Sequence, residues 1–253
     1  MPSANASCVV HCAAMADATP RLSTVLAKLE SHYGPQEPSW PTDPYLFIVW
    51  WHCGYPASDE RCTKGWKALN QEVGVAPDVI LNTPIPKLAH ALKPGGMVPE
   101  PRAMRLKEIA ARVQDDHKGD LGAALNGDIK EARKALKKFP NIADPGADRI
   151  LLFADVAPLP AVASNCPHVL VRIQHGRERE NYGTTYKEAQ QGIEEGTVAR
   201  FDARKRAYLL LKTHGQEICK RTNPKCDVCP VNSMCAYCAG KQRGRSASAA
   251  LQR

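Results

Sequence analysis

Four cysteines near the end of the chain have the spacing of ligands to a metal centre. Cys219, Cys226, Cys229 and Cys235 follow one another as C-x6-C-x2-C-x5-C, directly behind a strongly helical stretch. Thiolates are the usual ligands of iron-sulfur clusters, and four of them in one short loop suffice to enclose a cubane cluster. The spacing therefore predicts a 4Fe-4S cluster on these four residues.

Two other interpretations of the cysteines stay open at this point. Cys238 adds a second C-x2-C pair, so that Cys226, Cys229, Cys235 and Cys238 are an alternative set of zinc ligands. The five residues between those pairs are fewer than in most zinc ribbons, which favours the cluster. Disulfides are the third interpretation. A chain of 253 residues buries an adequate core without them, and no secretory signal is evident.

Composition limits the class of protein and the kind of partner. The chain has 34 Lys and Arg against 26 Asp and Glu, a net charge of +8, which favours a polyanionic partner. No apolar stretch reaches the roughly 18 residues needed to cross a bilayer, so no membrane association is expected. The other cysteines, which are scattered, indicate ordinary thiols of a reducing cytosol. The expected location is the cytoplasm, in association with the nucleoid if the protein is bacterial.

Helical periodicity, interrupted by Pro and Gly, predicts an all-helical chain. Helices are expected at Leu22 to Glu30, from Pro44, at Trp66 to Val73, Ile85 to Leu92, Arg102 to Val113, Ile129 to Lys137, from Tyr182, and from Phe201. Ser58, Asp59 and Glu60 are expected to cap the helix that follows them. Residues 1–20 and the basic tail 239–253 are expected to be disordered because of their composition.

Two segments carry a resemblance to a known family. The cysteine loop, with His214-Gly215 shortly before it, resembles the C-terminal cluster loop of the endonuclease III branch of helix-hairpin-helix DNA glycosylases. The stretch that begins at Leu136, LKKFPNIADPGADRILLFA, resembles the hairpin signature of that superfamily, L-P-G-V-G-x-x-T-A followed by an apolar helix. The resemblance covers residues 22–238 and is strongest in the cluster loop.

The resemblance implies an all-α, two-lobe glycosylase fold with a C-terminal iron-sulfur loop. A central lobe is expected at 44–160, with the hairpin at 136–150. The cluster lobe is expected to combine 21–43 with 161–238. The implied partner is double-stranded DNA, bound by a monomer across the cleft between the lobes.

The family pattern also implies which residues contact DNA. The hairpin presents backbone N-H groups to a phosphate, and the cluster loop adds basic side chains. Asn141 and Ala143 replace the two hairpin glycines, and because Ala adopts a left-handed backbone poorly, an altered turn is expected. Tyr55 is expected either to stack on a base or to pack beneath its loop. The complete set is His52, Tyr55, Lys137, Lys138, Asn141, Ala143, Gly146, Lys220, Arg221 and Lys225.

The two residues that carry the family's chemistry are replaced. Pro145 stands where bifunctional members have a lysine that forms a Schiff base, and Ala163 stands at the catalytic aspartate. Candidates for a substitute are Asp144, Asp148, Asn165 and His168. The implied function is a monofunctional DNA N-glycosylase for damaged or noncanonical bases, without efficient strand cleavage. The alternatives are a noncatalytic DNA-binding iron-sulfur protein and a zinc-binding basic module.

Overall fold

A computed structural model describes residues 19–241, and all regular secondary structure in this part of the chain is helical. The disorder predicted for 1–20 and 239–253 therefore falls almost wholly outside the described residues. Residues 236–241 are helical, so helix continues past Cys238 into the start of the predicted tail. The helices are α1 (Leu22–Tyr33), α2 (Pro44–His52), α3 (Asp59–Glu72), α4 (Pro77–Asn82), α5 (Ile85–Leu92), α6 (Pro99–His117), α7 (Leu121–Ala124), α8 (Ile129–Leu136), α9 (Asp144–Phe153), α10 (His168–His175), α11 (Tyr182–Gly196) and α12 (Phe201–Glu217).

Side-chain caps explain where several helices begin. Asp43 accepts a hydrogen bond from the backbone N-H of Leu46 at 2.8 Å, and Pro44 occupies the first turn of α2. Ser58 caps α3 in the same way, as the sequence predicted, by accepting from Arg61 N-H. That cap starts α3 seven residues earlier than the helix predicted from Trp66, because the periodic apolar signal begins only after the polar first turns.

The helices pack in two groups. Helices α2 to α7 form one group, and α1, α10, α11 and α12 form the other. Helix α9 contacts α8 and α2 on one side and α12 on the other, so the hairpin helix lies where the groups meet. This is the two-lobe, all-α arrangement that the sequence predicted. The domain boundaries proposed above stay a prediction.

Helix α2 is the centre of the first group. Seven of its nine residues are buried, including Trp50, which is fully buried and packs against Trp40 and Phe47. Apolar burial of this kind contributes about 25 cal/mol per Å² and fixes α2 against α3 and α6. None of the helices in 19–241 is long and apolar enough to span a membrane.

Candidate functional site

The hairpin between α8 and α9 keeps its turn although both glycines are replaced. Asn141 adopts the left-handed conformation, with φ of 55°, which Asn tolerates better than most residues. Ala143 is in an extended conformation, with φ −106° and ψ −176°, and precedes α9. The expectation that Ala143 would distort the turn was therefore wrong, because only position 141 needs a positive φ. Gly146 lies in the first turn of α9, behind Ala143.

His52 supports this turn from inside the protein. Its ring is completely buried, and Nδ1 lies 2.8 Å from the carbonyl oxygen of Ile48. Since Nδ1 must carry the proton to donate to that carbonyl, Nε2 is free to accept from the Asn141 amide, 3.4 Å away. His52 was predicted to contact DNA, and the complete burial of its ring does not agree with that prediction. Its burial follows from its place at the end of the apolar helix α2.

The pH dependence of stability should report on His52. Burial lowers the pKa of His52 to about 4, from an ordinary 6.5, and the charge of Arg105 acts in the same direction. Because the pKa is lowered in the folded state, the neutral ring stabilises the fold above pH 6.5, and this contribution is lost as the pH falls towards 4. At about 1.4 kcal/mol per pKa unit, the loss is about 3 kcal/mol.

Urea unfolding between pH 7 and pH 4 tests this expectation. The His52→Gln variant should lose less stability than the wild type over that interval, because it has no proton to gain. His175→Gln, which replaces an exposed histidine at the end of α10, is the matched control and should follow the wild type. Parallel curves for His52→Gln and wild type would contradict the neutral, buried ring.

A pocket of about 110 Å³ opens beside the hairpin. The hairpin turn, the start of α9, the end of α2 and the segment after α9 all contribute to it. Its residues are Phe47, Trp51, Tyr55, Asn141, Ile142, Pro145, Gly146, Arg149, Ser164 and Tyr208. Two larger depressions, of about 290 and 320 Å³, are open surface grooves whose linings contain no hairpin residues. The pocket is thus a concave site to which the hairpin and both groups of helices contribute.

Tyr55 packs within its own loop, which is one of the two roles that the sequence left open, and the other role, stacking on a base, stays a prediction. Its ring stacks on Trp51, with ring centroids 5.1 Å apart and an angle of 24° between the planes. It also lines the pocket and is only half-buried. An aromatic ring held in this way at a pocket mouth offers a surface on which a nucleobase can stack.

The candidate carboxylates Asp144 and Asp148 occupy different environments. Asp148 is buried, accepts hydrogen bonds from Arg133 at 2.5 Å and Gln190 at 2.9 Å, and has a pKa raised by burial. Asp144 is exposed in the first turn of α9 and pairs with Lys137 at 2.7 Å. Neither belongs to the pocket lining described above. Asp148 therefore ties helices together, whereas Asp144 remains open to solvent next to the hairpin.

The other two candidates lie after α9. Asn165 is exposed, and its neighbour Ser164 lines the pocket. His168 is buried and donates from Nε2 to the carbonyl oxygen of Cys219 at 2.7 Å, so its ring supports the cluster loop. Ala163 is buried against a separate small cavity that it shares with Lys212. Of the described residues in this segment, Ser164 is the polar group that reaches the pocket.

The cluster loop is held by its backbone. Arg172 of α10 donates to the carbonyl oxygens of Lys220 and Arg221, both at 3.0 Å. Cys229 and Cys235 are buried, and Cys219 and Cys226 are half-buried. Lys220, Arg221 and Lys225 are exposed, as DNA-contacting side chains must be. Position and charge therefore agree with the role predicted for these three residues, which stays a prediction.

The chemistry of this loop fits an iron-sulfur cluster. Four free thiols lie in one loop, and Arg172 approaches Cys219 closely enough to offset the negative charge of a thiolate-bound cluster. Burial raises the pKa of Cys219 to about 12 and that of Cys229 to about 11, so metal binding must release thiol protons. Within 19–241, no group of three or more His, Cys, Asp or Glu side chains is placed to hold one metal ion.

Cys238 is a fifth thiol in the same neighbourhood. It is buried and within hydrogen-bonding reach of Cys226 and Cys235. Cys219 also has Cys235 and Cys229 as near neighbours. Proximity alone therefore does not decide which of the two sets of four cysteines holds the cluster, and the ligand assignment stays a prediction.

Arg149 was not identified from the sequence as a site residue. Arg149 is a buried pocket residue, and the signal was a charged pair, Asp148-Arg149, directly before the apolar run of α9. Outside the pocket lining, an exposed loop in which Met97 and Val98 are 92% and 65% accessible was also not identified. Arg102 ties this loop to the α2 end by donating to the carbonyl oxygens of Cys53 and Gly96. Two adjacent exposed apolar residues before Pro99 were the available signal.

Comparison with known proteins agrees with this geometry. Residues 219–235 match the family described as the iron-sulfur binding domain of endonuclease III. A thymine/uracil-DNA glycosylase of Pyrobaculum aerophilum is 23% identical over 169 residues, which are 66% of this chain and 70% of the relative.

Solved structures share the fold over most of the chain. An endonuclease III in a non-covalent DNA complex superposes with a TM-score of 0.68 and 16% identity, covering 88% of this chain and 97% of that one. A thermostable thymine-DNA glycosylase gives 0.68 at 20% identity, covering 87% and 97%. The H. pylori 3-methyladenine DNA glycosylase bound to 1,N6-ethenoadenine gives 0.56 at 18% identity, covering 78% and 95%.

The chain thus has the helix-hairpin-helix DNA glycosylase fold. Its residues 219–235 are similar to the iron-sulfur binding domain of endonuclease III, and the solved structures that share its fold include an endonuclease III and a thymine-DNA glycosylase. The predicted 4Fe-4S cofactor is confirmed by the same match, and the zinc alternative is not retained.

Proposed function

We propose that the protein is a monofunctional DNA N-glycosylase that removes a damaged or noncanonical base from duplex DNA by hydrolysis. The observation that carries this proposal is the aromatic-walled pocket at the hairpin. Glycosylases must extrude their target base from the stack into such a pocket. Phe47, Trp51 and Tyr55 supply walls against which a base stacks, and Asn141 and Ser164 supply hydrogen-bonding groups.

Pro145 supports hydrolysis over strand cleavage. It lines the pocket at the position where bifunctional members carry lysine, and it has no amine to form a Schiff base with the sugar. Water is then the nucleophile at the anomeric carbon. Asn165 and Asp144 are solvent-accessible near this site and remain candidates for positioning it. Asp148 and His168 are already engaged in internal hydrogen bonds.

A base-release assay tests this function directly. Anaerobically purified brown protein is incubated with duplexes that contain uracil, hypoxanthine, oxidised bases or alkylated bases, and alkali is added to half of each reaction. We expect release of one class of base, with strand breaks only after alkali. Breaks without alkali would indicate a lyase and contradict the role given to Pro145.

A noncatalytic DNA-binding role is the second candidate, and Ala163 favours it. This residue replaces the family's carboxylate, and an alanine neither stabilises a sugar cation nor orients water. If no base is released from any duplex while the protein still binds them, this second candidate replaces the first.

DNA binding should depend on the cluster loop. The double change of Lys220 and Arg221 to alanine should weaken duplex binding and reduce the salt dependence of log K by about 0.9 for each lost phosphate contact. Glu178, which pairs with Arg221, keeps its second partner Arg172 at 2.6 Å, so the loop should stay folded.

Fluorescence anisotropy at several salt concentrations measures this slope. Lys28→Ala combined with Lys187→Ala removes the same charge from exposed positions of α1 and α11 and is the matched control. Equal slopes for the loop variant and the control would exclude the cluster loop from the DNA interface.

A further inference from the structure

Arg149 is an arginine buried in the wall of the pocket beside the hairpin. Its side chain is only 5% exposed, and its guanidinium carbon lies 3.8 Å from the ring centroid of Trp40 and 4.8 Å from that of Phe47. It shares the pocket lining with Tyr55 and Ser164. Aromatic faces stabilise a cation at these distances, so the guanidinium is held in place without being neutralised.

The charge around Arg149 is not balanced. Its carboxylate partner, Asp59, lies 3.5 Å away and also pairs with Lys212, at 2.8 Å. One carboxylate therefore faces two cations, which leaves a net charge of +1 beside the pocket (two positive, one negative). The other ionisable groups near this cluster are Cys62, Cys166 and Tyr208, and burial raises the pKa of each, so they stay neutral at pH 7. The Nε of Arg149 is buried and has no partner among the described residues.

The position of Arg149 matters because base release creates positive charge on the sugar and negative charge on the base. When the bond between C1′ and the base nitrogen breaks, its electron pair passes to the base and spreads to its carbonyl oxygens. Water then gives its hydroxide to C1′, and its proton neutralises the departed base. A carboxylate assists this reaction by stabilising the positive charge that develops on the sugar. Ala163, which replaces that carboxylate, cannot do so. A fixed cation can instead stabilise the negative charge that develops on the departing base.

We propose that Arg149 is the catalytic group that replaces the missing carboxylate, by hydrogen bonding to a carbonyl oxygen of the departing base. This inference rests on the proposed glycosylase function. It defines the substrate class as neutral, carbonyl-bearing bases that leave as anions, such as uracil. A cationic alkylated base leaves as a neutral molecule, gains nothing from Arg149 and is repelled by the net positive charge.

The size of the pocket further restricts the class of bases that the protein can accept. A protein cavity of about 150 Å³ accommodates benzene. A pocket of about 110 Å³ that is open at one side is therefore on the scale of a single six-membered ring. Single-ring pyrimidines fit this space better than purines.

Single-turnover base release tests the proposal. The duplexes contain 5-fluorouracil, uracil or thymine opposite guanine, a series in which the base becomes a progressively poorer leaving group, and a fourth duplex contains 7-methylguanine. The wild type should release the uracil series and leave 7-methylguanine in place. Arg149→Met should slow uracil release by about 10²- to 10³-fold, the effect of losing one preorganised donor to a developing anion.

The dependence on the leaving group separates catalysis from a structural role. Arg149→Met should show a steeper fall in rate from 5-fluorouracil to thymine than the wild type, whereas a merely loosened pocket would lower all rates equally. Arg206→Met removes an arginine that pairs with Glu30, away from the pocket, and should release bases like the wild type. Circular dichroism and duplex affinity verify that each variant is folded.

The wild-type protein alone is sufficient to overturn the proposal, even if Arg149→Met fails to fold. Release of 7-methylguanine as fast as uracil would exclude leaving-anion stabilisation while keeping the glycosylase function. An equal leaving-group dependence in wild type and Arg149→Met would exclude it as well. Release of no base from any duplex would instead overturn the proposed function itself.

Discussion

Cys219→Ser should yield a colourless protein with little bound iron, whereas Cys238→Ser should remain brown and retain its iron. Cys226, Cys229 and Cys235 belong to both sets of four ligands, so only Cys219 and Cys238 distinguish them. The matched domain spans 219–235, which includes Cys219 and ends before Cys238. The same comparison controls for the substitution itself, because both variants replace a cysteine of one short loop with serine.

Visible absorbance and iron content per chain measure this outcome after anaerobic purification. Loss of the cluster should also loosen the loop, because the links between its four thiols are then gone, and the hydrogen bonds from His168 and Arg172 hold only its beginning, at residues 219–221. Faster proteolysis between 219 and 235 and weaker duplex binding are expected in Cys219→Ser. Iron lost from Cys238→Ser and kept by Cys219→Ser would reverse the assignment.

The fold was predictable because its signals are local. Pro and Gly interrupt the chain between amphipathic stretches, and the predicted helix Ile85 to Leu92 has the bounds that the structure shows. Where a helix starts in polar residues, as α3 does at Asp59, periodicity alone placed the start too late. The cluster loop was recognisable because ligand spacing is itself a sequence property.

The pocket was less predictable because its chemistry comes from distant parts of the chain. Arg149, Asp59 and Lys212 lie on α9, α3 and α12 and meet only in the folded protein. From sequence, Asp59 indicated part of a helix cap; it lies in the first turn of α3, behind the capping Ser58, and its ion pairs depend on long-range packing. His52 shows a different failure: the resemblance led to a DNA-contacting role, whereas the structure buries the ring at the end of α2.

The substitution of Asp148 by alanine should cost about 3 kcal/mol of the free energy of unfolding. Asp148 joins three helices: it accepts from Arg133 of α8 at 2.5 Å and, on α11, from Gln190 at 2.9 Å and Tyr186 at 3.4 Å. Removing one partner of a buried pair costs about 3–5 kcal/mol because the other charge is left without compensation. The lower end applies here, since the Arg133 side chain is 32% exposed and can rehydrate.

Denaturant unfolding measures this cost, and Asp144→Ala is the matched control on the same helix. Asp144 and its partner Lys137 are both exposed, at 59% and 46%, so that change should cost at most about 1 kcal/mol. Equal losses for the two variants would contradict the structural role of Asp148.

The pH dependence of the free energy of unfolding gives an independent check on the role of Asp148. Burial raises the pKa of Asp148 above its ordinary 3.8, although Arg133 opposes the shift. Because the pKa is raised in the folded state, the contribution of this group is fully present below pH 3.8 and is lost as the pH rises through the folded-state pKa. Wild type should therefore gain stability relative to Asp148→Asn on acidification. The opposite slope would mean that Arg133 outweighs burial, and that Asp148 is held as a tightly paired carboxylate whose pKa lies below the ordinary value.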